Sequence, residues 1–258
     1  MPKAHNPNLA DVLKTFDRWE GKGWGMSTLT NYALDNKIDV PYFRLYSEND
    51  IGLFVNKGKV LDEEMEVWFD SFSKYIRSKN HEEELSYEQK TVLSYLLKSE
   101  RLNRLEKYTV ILTPDNNHFD ALKRLEECGL IKRIVTDQKF YPIYIVDRLL
   151  VRSDFHSEIR NIFGIAFNSL TPDYKNILNA IYHFSEYSSV EPVSANVIGN
   201  YLYLLEHKDL SNLSKFDQFK RKIRYSINRL EESQMIVRKS EGKPDYIINK
   251  NYKSNGLF

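Results

Sequence analysis

From residue 213 onward, apolar and polar positions alternate with helical regularity. Phe216, Phe219, Ile223, Ile227 and Leu230 recur at spacings of three and four, which makes one apolar helix face. The opposite side carries Gln218, Arg221, Lys222, Tyr225 and Arg229. The helix should stop near Ser233. Met235, Ile236 and Val237 then read as a short strand, Glu241-Gly242-Lys243-Pro244 as a turn, and Tyr246-Ile247-Ile248 as the returning strand. Helix, strand, turn, strand over Leu213 to Asn249 is the closing half of a winged-helix module, a helix-turn-helix variant that lays one helix in the DNA major groove.

The pattern occurs twice. Arg124-Leu125-Glu126-Glu127 repeats letter for letter as Arg229-Leu230-Glu231-Glu232. Each copy precedes a short apolar strand, Leu130 to Arg133 and Met235 to Arg238, then a polar turn and a returning strand, Tyr141 to Val146 and Tyr246 to Ile248. Opening helices are expected at Ser86, through a Ser-x-x-Gln capping box with Gln89, and at Thr171-Pro172, with proline at the first helical position. Val92, Leu93 and Leu96 face inward in the first, and Ile177, Leu178 and Ile181 in the second. Matched letters inside a matched order of elements predict two tandem winged helices; two unrelated helical hairpins are the alternative. In the first copy, Leu102 to Thr113 is ambiguous between helix and strand. Asp115 to Cys128 is the candidate recognition helix, with Asn116, Asn117, His118, Lys123 and Glu127 outward and Cys128 a small packed apolar residue.

Other segments organise around these modules. Leu9 to Trp19 and Met26 to Leu34 read as helices. Pro41 to Tyr46 and Ile51 to Asn56 read as a hairpin about Ser47-Glu48-Asn49-Asp50. Leu61, Met65, Trp68, Phe72 and Tyr75 form a seam along a helix from about Asp62 to Lys79, either packed on its own domain or forming a homodimer through Leu61, Met65, Trp68 and Phe72. Phe155, Ile159, Ile162, Phe163 and Phe167 make a connecting helix over Asp154 to Asn168, expected to be buried between the modules. Ser194 to Leu205 should be the middle helix of the second module. The boundaries drawn are 1–80, an α/β N-terminal domain; 85–150, the first winged helix; 151–170, the connection; and 171–252, the second winged helix. The fold class is mostly α with small β-hairpins, α+β.

Composition is globular, with 41% hydrophobic and 28% charged residues among 258. One cysteine excludes an internal disulfide framework. The start is polar and no apolar run reaches membrane-span length, which predicts a cytoplasmic protein. A net charge of +1, taken alone, argues against a strong nucleic-acid binder. Its distribution argues otherwise: Lys215 to Arg229 holds six basic residues and one acidic.

Near the start, Asn6-Pro7-Asn8-Leu9-Ala10 and Trp19-Glu20-Gly21-Lys22-Gly23-Trp24-Gly25-Met26 resemble the end of the ATP-binding domain of a bacterial transcriptional regulator family. In that family an AlbA-type DNA-binding domain precedes a GHKL-like ATPase domain, and RecG-like winged helices close the chain. The resemblance implies a small α/β remnant of a nucleotide-binding domain ahead of the winged helices. The family's upstream Asn-bearing helix and Asp-x-Gly loop have no counterpart, so nucleotide binding is not expected, and the chain reads as a fragment or a shortened relative. Gly21, Gly23 and Gly25 read as a turn packing a helix on a hairpin.

No catalytic constellation is present. His5, His81, His118, His156, His183 and His207 are scattered singly, and no pair has metal-ligand spacing. There is no nucleophile elbow or phosphate loop, and Glu241-Gly242-Lys243 sits at an expected wing tip. No cofactor, no metal and no enzymatic activity are expected. The leading expectation is a regulatory protein binding double-stranded DNA. Lys215, Lys220, Arg221, Lys222 and Arg229 would meet phosphates, Gln218, Arg221 and Tyr225 would lie nearest the bases, and Arg238, Lys239 and Lys243 would sit on the wing. The alternative is an assembly module in which the winged helices and the 61–76 helix bind partner chains.

Overall fold

The computed structural model describes residues 31–39, 41–47, 50–54, 57–102, 118–134, 143–207 and 213–253. The glycine segment 21–25, the Leu9–Trp19 helix, Asn116, Asn117 and most of the ambiguous 102–113 stretch lie outside them. The chain is mostly helical with small hairpins, an α+β protein. It divides into two compact units: residues 1–60, 87–127 and 131–145 in the first, and 61–86, 128–130 and 146–258 in the second.

In the first unit, residues 31–35 are helical, and β1 (Tyr42–Ser47) pairs antiparallel with β2 (Asp50–Phe54), the expected hairpin. In the second unit, α1 (Glu63–Ser71) begins with Asp62 accepting from the Met65 amide at 2.9 Å. A single helix was expected to continue to Lys79. It breaks at Phe72 (φ −113, ψ 10) and resumes as α2 (Ser73–Lys79). Serine hydroxyls compete locally for the carbonyls: Ser71 donates to Trp68 O and Ser73 to Asp70 O, each at 2.8 Å. The break aims Met65, Trp68, Phe69 and Phe72 into the unit's own interior, where all four are buried. Of the two alternatives for this seam, packing on its own domain is the one observed, and only Leu61 of the four residues proposed for a homodimer stays half-buried.

Back in the first unit, α3 (Tyr87–Leu102) starts one residue after Ser86 and buries Val92, Leu93 and Leu96 as expected. It packs against α4 (Phe119–Glu127), which is followed by the paired strands β3 (Ile131–Ile134) and β4 (Ile143–Val146). His118, expected to point outward, is 7% exposed, and its Nε2 lies 2.9 Å from Asp35 Oδ1. It precedes α4 and turns onto the helical 31–35 segment, so it presents nothing to a ligand.

The second unit continues with α5 (His156–Phe163) and α6 (Ile165–Asn168). The connecting helix expected to be continuous breaks at Gly164, whose φ of 58° and ψ of −130° only glycine adopts readily. Phe155, Ile159, Phe163 and Phe167 are buried in one core with α7 (Pro172–Tyr187). Pro172 opens α7 as expected. Then come α8 (Ala195–His207), α9 (Leu213–Glu232), β5 (Ile236–Arg238) and β6 (Tyr246–Ile248), antiparallel in the register Ile236↔Ile248, Val237↔Ile247 and Arg238↔Tyr246. The segment before α8 joins this ribbon: the Tyr246 amide donates to Val193 O at 3.1 Å, and the Val193 amide to Asp245 Oδ1 at 2.7 Å.

The letter repeat has a backbone counterpart. Leu125 and Leu230 are both buried, and their helices end at Gly129 (φ 70) and Gln234 (φ 60), the same step after each arginine. Leu130 O then accepts from the Asp147 amide at 2.9 Å, and Met235 O from the Asn249 amide at 3.0 Å. Both segments use a left-handed residue to leave the helix before the returning strand bonds back to the residue that follows it. Glycine occupies that position without strain, whereas glutamine does not. Gln234→Gly is expected to raise stability by about 0.5–1 kcal/mol. Gly129→Gln should lower it by a similar amount, since open space around Gly129 offers the new side chain no contact. Thermal unfolding midpoints of the two variants check this.

Candidate nucleic-acid interface

Helix α9 divides cleanly. Phe216, Ile223, Ile227 and Leu230 are buried, Phe219 is half-buried, and Lys215, Gln218, Arg221, Lys222, Tyr225 and Arg229 are exposed. At 100° per residue, Gln218, Arg221, Tyr225 and Arg229 share the outer stripe. Tyr225 is 60% exposed.

The flanks are tied to neighbouring helices. Lys220 lies on the α8 side: its stem approaches Gly199 so closely that a β-carbon there would sit 3.2 Å from Lys220 Cγ. Its ammonium lies 4.1 Å from the Phe216 ring centroid and 3.5 Å from Asp217. Lys220 is therefore the expected phosphate contact least available to a ligand. Arg224, not singled out from the sequence, donates to Asn196 Oδ1 at 2.8 Å. On the other edge, Lys222 Nζ is 2.7 Å from Asp173 Oδ2 at the start of α7, and that bond holds its ammonium above the ordinary range.

Further along, Arg229 donates to the Tyr225 hydroxyl at 3.1 Å and pairs with Glu232 at 3.1 Å, which together raise its pKa. On the hairpin, Arg238 is gripped by both Glu231 oxygens, at 2.7 and 3.2 Å, and Lys239 by Glu191. Arg221 and Lys243 form no ion pair among the described residues. The positive stripe is thus interleaved with carboxylates: most of its charges are already partnered, and Arg221 on the helix and Lys243 at the hairpin tip are the bare ones. Two of these pairings, 173 with 222 and 191 with 239, join residues far apart in sequence, so spacing along the helix could not reveal them.

No group of His, Cys, Asp and Glu among the described residues could hold a metal ion, and no described helix is long and apolar enough to cross a membrane. No family model matches the chain. No curated protein and no solved structure matches it either. The resemblance of the 6–26 segment to the regulator family rests on those residues alone.

Proposed function

We propose that the second unit is a winged-helix module that binds double-stranded DNA through α9, in a regulatory protein built from two such modules. One observation carries this reading. The outer stripe of α9 presents Gln218, Arg221 and Tyr225 uncovered, on the last of three helices leading into a hairpin with Lys243 at its tip. A helix so placed suits a major groove, and a hairpin tip so placed suits the adjacent backbone. Arg221 and Lys243 supply phosphate contacts first. Lys222, Arg229, Arg238 and Lys239 join only by exchanging carboxylate partners for phosphates, which exposed ion pairs do at small cost, and the exposed Lys215 at the start of α9 is a further candidate contact. The family resemblance is in keeping with a regulator, and any part for the 21–25 glycine segment in nucleotide binding belongs to that comparison.

Arg221→Glu with Lys243→Glu should weaken binding to every duplex by at least about tenfold and lower the log–log salt slope by about 2. Fluorescence anisotropy at two salt concentrations measures both. Each side chain is exposed and unpaired, so folding should survive, as circular dichroism would show. Unchanged affinity in the folded variant rejects the reading.

The interleaved carboxylates favour a second reading, in which this stripe meets a partner protein carrying both signs of charge. Absence of duplex binding by the unaltered chain at low salt would favour it. A homodimer through Met65, Trp68 and Phe72 has no place in either reading, because those residues are buried.

A further inference from the structure

Helices α7, α8 and α9 leave between them a groove of about 450 Å³. Its floor is apolar and fixed. Ile177, Tyr201 and Ile223 are buried beneath it. The Tyr201 ring is held by its hydroxyl, 3.0 Å from His183 Nδ1, and by an edge contact with Phe184 at 5.2 Å between centroids. Leu202, Leu205 and Phe219 form an apolar flank, with Leu205 still 40% exposed.

The rim is charged. Asp173 and Glu206 supply two carboxylates and Lys222 one ammonium; His207 Nε2 lies 3.6 Å from Glu206 Oε1 and adds a charge only if protonated. Lys222 pairs with Asp173, but both side chains stay more than half exposed, so the pair contributes little and opens readily. Inside the groove, Ser226 is 7% exposed, and its hydroxyl makes no hydrogen bond among the described residues. The Asn176 amide, on the same lining, likewise makes none. Ligand pockets have this character: a rigid apolar floor, a few convergent polar groups, and a volume in the range of roughly 300–1,000 Å³.

We propose that this groove binds a small organic monocation with an apolar body, of the aralkylamine class. Two carboxylates against one ammonium leave an excess of one negative charge at the rim, which one ligand cation neutralises. The ammonium sits between Asp173 and Glu206 and releases Lys222 from Asp173. The ring lies on Tyr201, Leu202 and Phe219, and a ligand hydroxyl or N–H reaches Ser226. The inference goes beyond the DNA reading and does not depend on it, since binding is measured without nucleic acid.

The test is calorimetry on the full chain with phenethylamine, and with phenylacetate as a control of like body and opposite charge. The amine is expected to bind saturably at 1:1 and at least about tenfold tighter than phenylacetate. The Asp173→Asn, Glu206→Gln double variant keeps shape and removes both charges on exposed side chains. It should lose at least about tenfold in amine affinity while its circular dichroism is unchanged. Equal or tighter binding of phenylacetate, undiminished amine affinity in the double variant, or no saturable amine binding each overturns the proposal. Should the double variant fail to fold, Asp173→Asn alone supplies the second measurement: amine affinity should fall at least about threefold, and undiminished affinity in that folded variant overturns the proposal.

Discussion

Phe72→Ala is expected to destabilise the second unit by about 3–5 kcal/mol. Phe72 is 1% exposed and sits where α1 gives way to α2. Its ring lies 5.5 Å from Trp68, 4.3 Å from His183 and 6.3 Å from Tyr187, between centroids. Alanine removes the ring from a closed aromatic cluster and leaves a cavity that helices fixed elsewhere cannot collapse. Trp68 is anchored by its indole N–H to Leu150 O at 3.2 Å, and Ser73 by its hydroxyl to Ser189 Oγ at 2.9 Å, so neither α1 nor α2 is free to slide inward. Urea unfolding at two protein concentrations checks this. The loss should be the same at both, because the contacts are within one chain; a seam between two copies would make the loss concentration-dependent.

Acidification supplies the second large effect. His183 is fully buried, and burial pushes its pKa down to about 3. Nδ1 faces the Tyr201 hydroxyl, while Nε2 has no partner and is walled by Phe72, Phe155, Phe184 and Tyr187. No carboxylate stands within that wall to receive a second ring proton. The folded state therefore holds the neutral ring, while the unfolded chain takes up a proton near pH 6.5. Between those values the unfolded state binds more protons, so stability is flat above about pH 7 and falls as pH drops through 6.5 toward 3. At pH 5 the loss is about 2 kcal/mol. Glu158 works in a lower window. The Arg152 guanidinium, at 2.6 Å, holds its carboxyl down at about 2, so its contribution is present above the ordinary glutamate range and fades only below it. Urea unfolding at pH 7, 6 and 5 isolates the histidine. In His183→Phe the decline over that range should disappear, against a pH-independent cost of about 0.5–1.5 kcal/mol for the lost hydrogen bond to the Tyr201 hydroxyl. A decline that persists unchanged in His183→Phe would assign it to other groups.

The local elements are legible in the amino-acid pattern alone. Periodicity placed α8, α9 and the β5–β6 hairpin to within about two residues, and Thr171-Pro172 placed the start of α7, because each element buries a regular stripe whose spacing is set by the helix or the strand alone. It also picked out which side of α9 is bare, whereas the left-handed exit shared by Gly129 and Gln234 behind the Arg-Leu-Glu-Glu repeat is visible only in the backbone. Tertiary structure decided what spacing along one element does not contain. The apolar seam from Leu61 to Tyr75 fits a dimer interface and an intrachain core equally well; packing of α1 and α2 on α7 chose the core. The breaks at Phe72 and Gly164 depend on competing serine hydroxyls and on one glycine's positive φ, and neither disturbs the apolar pattern. His118 looked like an outward helix residue until Asp35, 83 positions away, received it. Asp173 reads as an ordinary residue of a helix start, yet folding sets it against Lys222 and across a groove from Glu206. Charge partners and cavities are made by residues distant in the chain, so a one-dimensional pattern specifies which side chains are available but not which of them meet.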